Sequence, residues 1–413
     1  MYRMKAGDPM IVGIIGGGAS GMAAALAASQ YPGVQVLLFE RQARVGRKLQ
    51  ATGNGRCNLT NLYAEQTHYH GEDPAFTQYA MEMFSPKETL EWFENMGLYT
   101  VAEPSGRVYP YSDQANSVVD VLRFALEREN ITQYLGFDVQ KVRFADGQYH
   151  VINGEETFAC DKLIIACGGL AGTKLGGTMS GYKLLGKLGH KATRLRPALV
   201  QIKSSWGGVV ALKGVRANCY VRIARDQVIV SESTGELQFT EYGISGPVVF
   251  EVSRDVCCGV GEWTAWLDFL PELTVEQIVR LLERKSTLPI CAEELLTGIL
   301  HNRLGKVLVK SAGINGNRLV GQLHTEELVT LAKLCKAFQI SLTETLGMDS
   351  AQVTAGGIFT EQFDSNTMES KLMPGLYACG EVLDVDGDCG GYNLQWAWAS
   401  GRLAGHSAGK DKA

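Results

Sequence analysis

The residues whose type and spacing could do chemistry lie within the first forty positions. Gly16, Gly18 and Gly21 satisfy the pattern G-x-G-x-x-G, and Glu40 follows about twenty residues further on. In such a turn the first glycine permits a sharp bend, the second lets the backbone approach a pyrophosphate, and the third lets a helix pack closely on a strand. A glutamate at this distance can accept hydrogen bonds from both ribose hydroxyls. These four residues predict a dinucleotide site.

The segments around these residues have the composition that a dinucleotide site requires. Residues 11–15 and 34–39 are short apolar runs that predict strands, and the alanine-rich residues 22–29 predict a helix between them. Because a helix N-terminus carries free N–H groups and the positive end of a dipole, it would face the phosphates. The glycine pattern alone is a weak indication, but the whole strand–turn–helix–strand–acid unit favours nucleotide binding over a βαβ unit that binds nothing.

A basic loop rich in glycine follows the second predicted strand. Arg47 and Lys48 could pair with a diphosphate, and the glycines of residues 53–58 permit close approach of the backbone to a flat ring. Cys57 and Asn58 would then lie near that ring. The alternative is a solvated loop of ordinary turn residues.

The composition limits the class of protein. A chain of 413 residues with a net charge of −5 predicts two or three domains and no general attraction to nucleic acid or an anionic membrane. The 10 cysteines show no C-x-x-C pair, which favours a reducing compartment over a disulfide framework. We find no signal peptide and no transmembrane segment, so we expect a cytoplasmic protein.

The order of the predicted elements indicates an α/β fold with an insertion. We expect a discontinuous Rossmann-type domain formed by residues 1–190 and 351–413, because strands that end in glycines occur in both parts. Residues 191–270 and 337–350 have short alternating or apolar runs and predict a β-rich, barrel-like insertion. Residues 271–336 predict a helical insertion.

Several element boundaries follow from the same patterns. We expect mainly helix over residues 62–130 and a polar, glycine-rich loop over residues 235–247. Three further helices are predicted at residues 274–285, 292–304 and 325–338, and Thr274 and Thr325 are the expected N-caps of the first and third.

No metal site is predicted. Asp384, Asp386 and Asp388 resemble part of a calcium loop, but glycine falls at the fourth position and Gln395 at the twelfth, where the EF-hand needs glutamate. The two histidines at positions 68 and 70 form no spaced ligand set with other histidines or cysteines.

Four motifs together resemble one family of bacterial FAD-dependent flavoproteins. They are residues 16–21, residues 52–61 (TGNGRCNLTN), residues 239–247 (FTEYGISGP) and residues 380–395 (GEVLDVDGDCGGYNLQ). That family includes a bile-acid 3-dehydro-Δ4,6-reductase, a 23S ribosomal RNA dihydrouridine synthase and aminoacetone oxidase. The resemblance covers nearly the whole chain. This sequence departs from the family pattern at Asn54, where many members have a third glycine. The departure puts only the geometry of that loop in doubt.

The resemblance implies that FAD is bound without a covalent bond, and it implies which residues of this chain hold the cofactor. On the adenosine and diphosphate side it implies Ala19, Glu40, Arg47, Lys48 and Val139, and around the ribityl chain and the ring it implies Asn58, Glu381, Asn393 and Leu394. The glycine turns and their neighbours complete the predicted cofactor site with Gly16, Gly18, Ser20, Gly21, Arg41, Ala166, Gly168 and Gly380.

The cofactor would imply reduction of an electron-poor carbon by NAD(P)H, which would dock transiently because the chain has one G-x-G-x-x-G pattern. If the substrate is an enone, the site must also supply a proton, for which the candidates are Tyr392, Tyr242, Cys57 and Tyr109. Each of the tyrosines could instead be a packing residue.

Three functions remain open at this point. The first is reduction of a C=C bond in a 3-oxo bile-acid steroid. A steroid needs an apolar wall, and candidates on the insertion are Trp206, Val209, Val210, Ile244 and Phe250. These residues could instead form the core of the insertion. The second is reduction of uridine in 23S ribosomal RNA, which the acidic net charge disfavours. The third is a non-catalytic flavin redox sensor.

Overall fold

The computed structural model describes residues 9–258 and 260–410, without the side chains of residues 257 and 258. Two compact units are present: Met1–Arg196 with Gln352–Ala413, and Pro197–Ala351. The strands and helices, numbered along the chain, are β1 (Met10–Ile15), α1 (Ala19–Ala28), β2 (Val34–Glu40), β3 (Thr60–Asn61), β4 (Tyr69–His70), α2 (Gln78–Met83), α3 (Pro86–Asn95), β5 (Thr100–Ala102), β6 (Arg107–Pro110), α4 (Ala115–Ala125), β7 (Ile131–Leu135), β8 (Lys141–Ala145), β9 (Gln148–Asn153), β10 (Glu156–Cys160), β11 (Lys162–Ile165), α5 (Ser180–Lys187), β12 (Arg196–Ala198), β13 (Ile202–Ser204), β14 (Arg216–Arg225), β15 (Val228–Phe239), β16 (Gly243–Ser245), α6 (Pro247–Cys258), β17 (Trp263–Asp268), α7 (Val275–Glu283), α8 (Asn302–Ser311), α9 (Thr325–Lys336), β18 (Phe338–Thr345), β19 (Val353–Ala355), β20 (Leu376–Ala378), β21 (Asp386–Gly387) and α10 (Tyr392–Gly409).

A parallel sheet of five strands, in the order β20-β11-β1-β2-β7, forms the centre of the first unit. Its strands are nearly continuous apolar runs because helices and loops cover both faces. The register places Ile15 beside both Phe39 and Ile165, and Ile165 beside Ala378. The carboxyl ends of these strands therefore meet at one edge of the sheet, where ligands bind in open α/β folds.

Helices α1 and α10 pack against each other over small residues, and this contact joins the two ends of the first unit. A Cβ atom at Gly401 would lie 2.3 Å from the Ser20 carbonyl oxygen, and one at Gly405 would lie 2.3 Å from that of Ala24. Only glycine allows an approach this close. The last helix is thereby fixed beside the glycine turn of the first one.

The region between β3 and β7 differs from the sequence expectation of a mainly helical segment. It contains α2, α3 and α4, but β5 and β6 interrupt them and pair with β3 in a three-stranded antiparallel sheet. That expectation was wrong because strands of three or four residues leave no periodic pattern in the sequence. A tight hairpin turn at residues 145–148 joins β8 to β9 in the same unit.

The second unit contains a closed barrel of six strands in the order β13-β16-β15-β14-β17-β18. The valines of α6 and the apolar faces of α7, α8 and α9 share one buried core with the inward-facing barrel residues. The α/β class with an inserted barrel and helices is thus confirmed. The division of the insertion into two separate domains stays a prediction.

Two expectations within the second unit were wrong. Residues 235–239 belong to β15, where Gly235 pairs with Cys219, so the expected loop is limited to the turn between β15 and β16. The helix expected over residues 292–304 does not form, because Gly298 has a φ of +81° and α8 begins only at Asn302. Thr274 does cap α7, whereas the N-cap of α9 is His324 instead of Thr325.

Candidate functional site

The glycine turn after β1 has the shape of a diphosphate cradle. Gly16 has a φ of +111°, and a Cβ atom there would lie 2.3 Å from the Ala166 carbonyl oxygen. A Cβ atom at Gly21 would lie 1.8 Å from the Gly16 oxygen, so the helix can pack here only without a side chain. A Cβ atom at Gly18 would meet nothing within 4 Å. The turn is closed beneath by packing and open at the N-terminus of α1, where an anion is favoured.

Ala19 and Ser20 form the first turn of α1, directly after this open position. The Ser20 hydroxyl lies against Gly380, since a Cβ atom at Gly380 would be 2.5 Å from Ser20 Oγ. Gly380 itself has a φ of +75° and donates its N–H to Ser400 Oγ at 3.0 Å. The turns after β1 and β20 are thus brought together, although the sequence separates them widely.

Glu40 ends β2 with its carboxylate turned toward the glycine turn. Its Oε2 accepts the N–H of Gly17 at 2.7 Å, and its Oε1 accepts that of Gln42 at 2.7 Å. A carboxylate has about four acceptor positions, so two hydrogen bonds leave capacity for a further donor such as a ribose hydroxyl. The predicted position of this acid beside the turn agrees with the structure.

The basic residues after β2 point in different directions. Arg41 donates to the Gly176 carbonyl at 2.7 Å, and Arg47 donates to Gln42 Oε1 at 2.6 Å and to the Lys174 carbonyl at 3.2 Å. Lys48 instead turns toward the turn after β20. The sequence analysis placed Arg47 and Lys48 on a diphosphate and Arg41 elsewhere in the cofactor site, and these roles stay predictions.

Glu381 is the acid that Lys48 reaches. Lys48 Nζ lies 2.9 Å from Glu381 Oε2, and the N–H of Thr354 donates to Glu381 Oε1 at 2.9 Å. A Cβ atom at Gly169 would lie 2.4 Å from the same Oε1, so the turn after β11 closes over the carboxylate. This ion pair holds the loops after β2, β11 and β20 together.

Asn58 carries a buried oxygen without a partner. The residue is 9% exposed, and its Oδ1 has no hydrogen-bond donor. A Cβ atom at Gly391, just before α10, would lie 2.9 Å from this oxygen. An unsatisfied buried carbonyl lowers the stability of the fold by about 1–3 kcal/mol. A hydrogen-bond donor on a bound cofactor would remove this cost.

The start of α10 bears three of the predicted site residues, Tyr392, Asn393 and Leu394. The side chain of Asn393 accepts the Gly387 N–H at 2.8 Å and donates to the Gly387 carbonyl at 2.7 Å, so it fixes the preceding loop. Tyr392 is buried, and its ring stacks on that of His68 with centroids 4.4 Å apart. Leu394 packs against the core of the first unit.

The remaining cofactor candidates lie at the same edge of the sheet or just beyond it. Ala166 donates its N–H to the Ile15 carbonyl at 2.8 Å, and Gly168 follows with a φ of +68° and open space where a Cβ would be. Val139 is buried in the loop that follows β7, the neighbour of β2. Their contact with a cofactor stays a prediction.

The proposed proton donors differ in their surroundings. Cys57 is fully buried, and burial raises the pKa of its thiol to about 12, which makes it a weak acid at neutral pH. Tyr109 packs under Arg56, whose guanidinium carbon is 3.9 Å from the ring centroid, and burial raises its pKa. Tyr242 belongs to the second unit and stays a prediction.

The apolar wall expected on the insertion needs correction. Val209 and Ile244 are buried in the core of the second unit and cannot present a face to a substrate. Trp206 packs edge-on against Phe338 with centroids 5.0 Å apart, whereas Val210 is 63% exposed. The alternative interpretation, that these residues form the core of the insertion, holds for Val209 and Ile244.

The first unit also contains a cluster that the sequence analysis missed. His68 and His70 both bind Asp388, at 2.9 Å and 2.7 Å. No pattern in the sequence joins residues 320 positions apart; only the His-x-His spacing could have drawn attention to the first two. Within the described ranges, no group of three or more His, Cys, Asp or Glu side chains could hold a metal ion.

The features at this sheet edge fit FAD. Three observations carry the fit: the open N-terminus of α1 beside Gly18, the Glu40 carboxylate beside the turn, and the unpartnered oxygen of Asn58. The N-terminus of α1 would bind the diphosphate, Glu40 would bind the ribose, and Asn58 would bind a polar group further along the cofactor.

Comparison with known proteins decides the family. The model of the HI0933-like protein Rossmann domain matches residues 10–407. The chain belongs to the HI0933-like family. The resemblance inferred from the four motifs is therefore confirmed.

Named relatives of the HI0933-like chain span almost its full length. The 3-dehydro-bile acid delta(4,6)-reductase of Clostridium scindens is 40% identical over 404 residues, which cover 96% of this chain and 98% of that protein. The ribosomal RNA dihydrouridine synthase of Escherichia coli is 32% identical over 393 residues, which cover 94% and 95%.

Solved structures are more distant. The 3-ketosteroid delta1-dehydrogenase of Sterolibacterium denitrificans is 13% identical, and the match covers 96% of this chain and 99% of that chain. The TM-score is 0.48, which is a low structural similarity. Across the described part of the HI0933-like chain, none of the helices combines the length and the apolar character needed to cross a membrane.

Proposed function

We propose that this protein is an FAD-dependent oxidoreductase that uses NAD(P)H to reduce a C=C bond conjugated to a carbonyl, in a 3-oxo bile-acid or similar steroid. One observation carries the proposal: 40% identity to a 3-dehydro-bile acid delta(4,6)-reductase over 98% of that protein's length. The features that fit FAD in the first unit support the cofactor. The eight described cysteines are all free, which supports a reducing cytoplasmic location.

When bound, FAD would supply two-electron redox chemistry between a reduced nicotinamide and an electron-poor carbon. The residues of this chain would hold and orient it. The glycine turn with α1 would bind the diphosphate, Glu40 the ribose, and Asn58 with the first turn of α10 the ring end. Lys48 would hold the Glu381 carboxylate in place in the wall of the same site.

The chemistry also requires a proton at the carbon next to the carbonyl, because hydride addition to the β-carbon leaves an enolate. Tyr392 remains a candidate through its place at the start of α10. Cys57 is disfavoured by the raised pKa of its buried thiol.

The proposal is tested with paired substrates under anaerobic conditions. Purified protein with NADH or NADPH is incubated with a 3-oxo-4,6-diene bile-acid derivative and, separately, with unmodified 23S ribosomal RNA. We expect saturated steroid, untouched RNA, and FAD as the flavin released by heat. FMN in the released fraction, or no reduction of any enone, would contradict the proposal.

A second candidate is reduction of uridine in ribosomal RNA, supported by 32% identity to the dihydrouridine synthase of Escherichia coli. The net charge of −5 argues against it, since RNA binding usually needs a basic surface. Dihydrouridine in the RNA with untouched steroid would favour this candidate. A flavin that is reduced by neither nicotinamide would leave a redox sensor as the better interpretation.

A further inference from the structure

The cluster of His68, His70 and Asp388 has no role in the cofactor site described above. Its geometry is specific: His68 Nδ1 lies 2.9 Å from Asp388 Oδ2, and His70 Nε2 lies 2.7 Å from Asp388 Oδ1. One carboxylate therefore orients two imidazole rings, each through a different oxygen. Because these hydrogen bonds occupy the facing nitrogens, the arrangement differs from one in which all three groups converge on a metal ion.

The backbone around the cluster is fixed on both sides. Strands β4 and β21 pair so that His70 stands opposite Asp386, and the Asp388 N–H donates to the His68 carbonyl at 3.0 Å. The Asn393 amide also donates to the Asp388 carbonyl at 3.2 Å. The cluster is thus held by the same helix turn that carries the predicted ring-side residues.

The cluster lies beside the ring end of the predicted cofactor site. The His68 ring stacks on Tyr392, the first residue of α10, at an interplanar angle of 25°. Gly391 precedes Tyr392 and faces the unpartnered oxygen of Asn58. The cluster and the buried oxygen that lacks a donor therefore flank the same turn of the chain.

The charge and exposure of the cluster suit proton transfer. Burial alone would raise the pKa of Asp388, but the hydrogen bonds from His70 and His68 outweigh it and hold that pKa below its usual range. The aspartate is therefore an anion at neutral pH, and the two imidazole rings that bind it face a negative charge. The side chains of His68 and Asp388 are 31% and 29% exposed, so water can restore a proton after each transfer.

We propose that His68 is the proton donor of the enone reduction and that Asp388 and His70 are positioning residues for it. The inference rests on the proposed function. As hydride from the reduced nicotinamide reaches the β-carbon, the π electrons form an enolate. The Nε2–H bond of the His68 imidazolium then breaks, its electron pair stays on nitrogen, and the proton goes to the α-carbon. The nicotinamide is oxidised and the enone is reduced by one hydride and one proton.

His68 fits this role better than the other candidates. Its Nδ1 is the nitrogen that binds Asp388, so Nε2 is the one placed for transfer. The thiol of Cys57 is too weak an acid, whereas the His68 ring is oriented by a carboxylate. An imidazole held by a carboxylate is a common general acid, and such groups contribute roughly 100- to 10,000-fold to the rate.

Rapid mixing separates the two half-reactions in the FAD-loaded protein. For His68→Gln we expect reduction of the flavin by NADH within about 2-fold of wild type, and reoxidation by the 3-oxo-4,6-diene bile acid slowed roughly 100-fold or more. Asp388→Asn should slow the same step about 10-fold or more. The control, His301→Gln, changes a histidine that caps α8 in the second unit and should leave both steps unchanged.

One readout distinguishes proton donation from a structural role, and a second tests whether Asp388 positions the His68 ring. Added imidazole should restore at least one tenth of the wild-type reoxidation rate in His68→Ala. In the wild-type protein without substrate, the ring 13C–1H signal of His68, assigned by its loss in His68→Gln, should move in Asp388→Asn and stay in place in His301→Gln.

The outcomes separate the inference from the proposed function. If wild type reduces the enone and His68→Gln reoxidises at the same rate, His68 is not the donor, and the proposed function stands. If His68→Ala is slow but imidazole restores nothing, the role is structural and the inference is wrong. If wild type reduces no enone at all, the proposed function is wrong and this inference falls with it.

Discussion

The amide oxygen of Asn58 is a buried hydrogen-bond acceptor at the predicted ring end of the cofactor site. It is buried and has no donor, and Cys57, Leu59 and Thr60 beside it are buried as well. We expect Asn58→Ala to weaken FAD binding about 5- to 150-fold, the equivalent of about 1–3 kcal/mol for one buried hydrogen bond. Fluorescence titration of the apoprotein with FAD measures this change. The control is Asn366→Ala in an exposed loop of the same unit, and equal loss in both variants would contradict the assignment.

Glu40 offers a second test at the same scale. Glu40→Ala should weaken FAD retention by roughly 1.5–3 kcal/mol per charged hydrogen bond lost, while Glu40→Gln, which keeps an acceptor, should weaken it less. The loss in the alanine variant includes the turn, because Glu40 also accepts the Gly17 N–H. Occupancy is measured from the flavin-to-protein absorbance ratio after gel filtration, and equal occupancy in all three proteins would refute the role.

At the residue scale, the sequence predicted the members of the cofactor turn but not their partners. Gly16, Gly18, Gly21 and Glu40 could be identified because they lie within one βαβ unit, where spacing alone sets the geometry. The pairing of His68 with Asp388 could not, because the two residues are 320 positions apart and meet only after β4 and β21 pair. Local patterns carry no information on such contacts.

Among the elements, α1 and α10 show how closely two helices can approach. We expect Gly405→Ala to destabilise the protein by about 2 kcal/mol or more, because the new methyl group would meet the Ala24 carbonyl oxygen at 2.3 Å. Thermal unfolding followed by circular dichroism measures the change. The control is Gly186→Ala on the exposed side of α5, where a Cβ atom meets nothing within 4 Å and the higher helix propensity should stabilise by about 0.5–1 kcal/mol. Similar effects in both variants would rule out the close contact as the cause.

The same helix contains a histidine that should make stability depend on pH. Burial, and then the charges of Arg402 and Lys410, lower the pKa of His406 from 6.5 to about 4. The unfolded chain therefore takes up the proton first, so stability is full above about pH 6.5 and declines as the pH falls through 4. We expect His406→Gln to remove roughly 2–3 kcal/mol of this decline. Urea unfolding of both proteins at pH 7 and pH 4.5 tests it; parallel losses of stability would show that His406 is not responsible.

Element boundaries failed where a tertiary contact outweighed the local pattern. Gly235 lies inside β15 because the strand pairs with β14 and leaves room for Val248 of α6, 3.5 Å from where a Cβ atom would be. The glycine at 298 did the opposite: its left-handed conformation ended a stretch with helical periodicity. Sequence patterns identify glycine as a breaker, but packing decides whether it breaks.

On the scale of the molecule, the second unit is built to fold without the first. It has its own buried core, and its six barrel strands form a closed sheet. We expect a polypeptide of residues 197–351 to show a single cooperative unfolding transition in urea. The control is residues 271–336, which lack all six barrel strands and should stay unfolded. A non-cooperative transition for the longer polypeptide would show that the unit depends on the rest of the chain.

The α/β class, the discontinuous first domain and the barrel were predictable because motif content and composition change along the chain. The strand order of the central sheet was not, since β20 joins it from the far end of the sequence beside β11. Such crossovers depend on pairing between strands that are far apart in the chain, and a single sequence does not show which distant strands pair.

The packing of α1 on α10 also means that two contacting helices are synthesised at widely separated times. The ribosome makes the glycine turn at the start, then the entire barrel, and only afterwards the helix that covers the alanine face of α1. At about 5–20 residues per second this interval lasts roughly 20 to 70 seconds. During that time α1 can pack on β1 and β2, but the face that α10 covers stays exposed and can bind chaperones. A chain that ends before α10 would keep Gly16, Gly18 and Gly21 but would lack the helix that packs on α1.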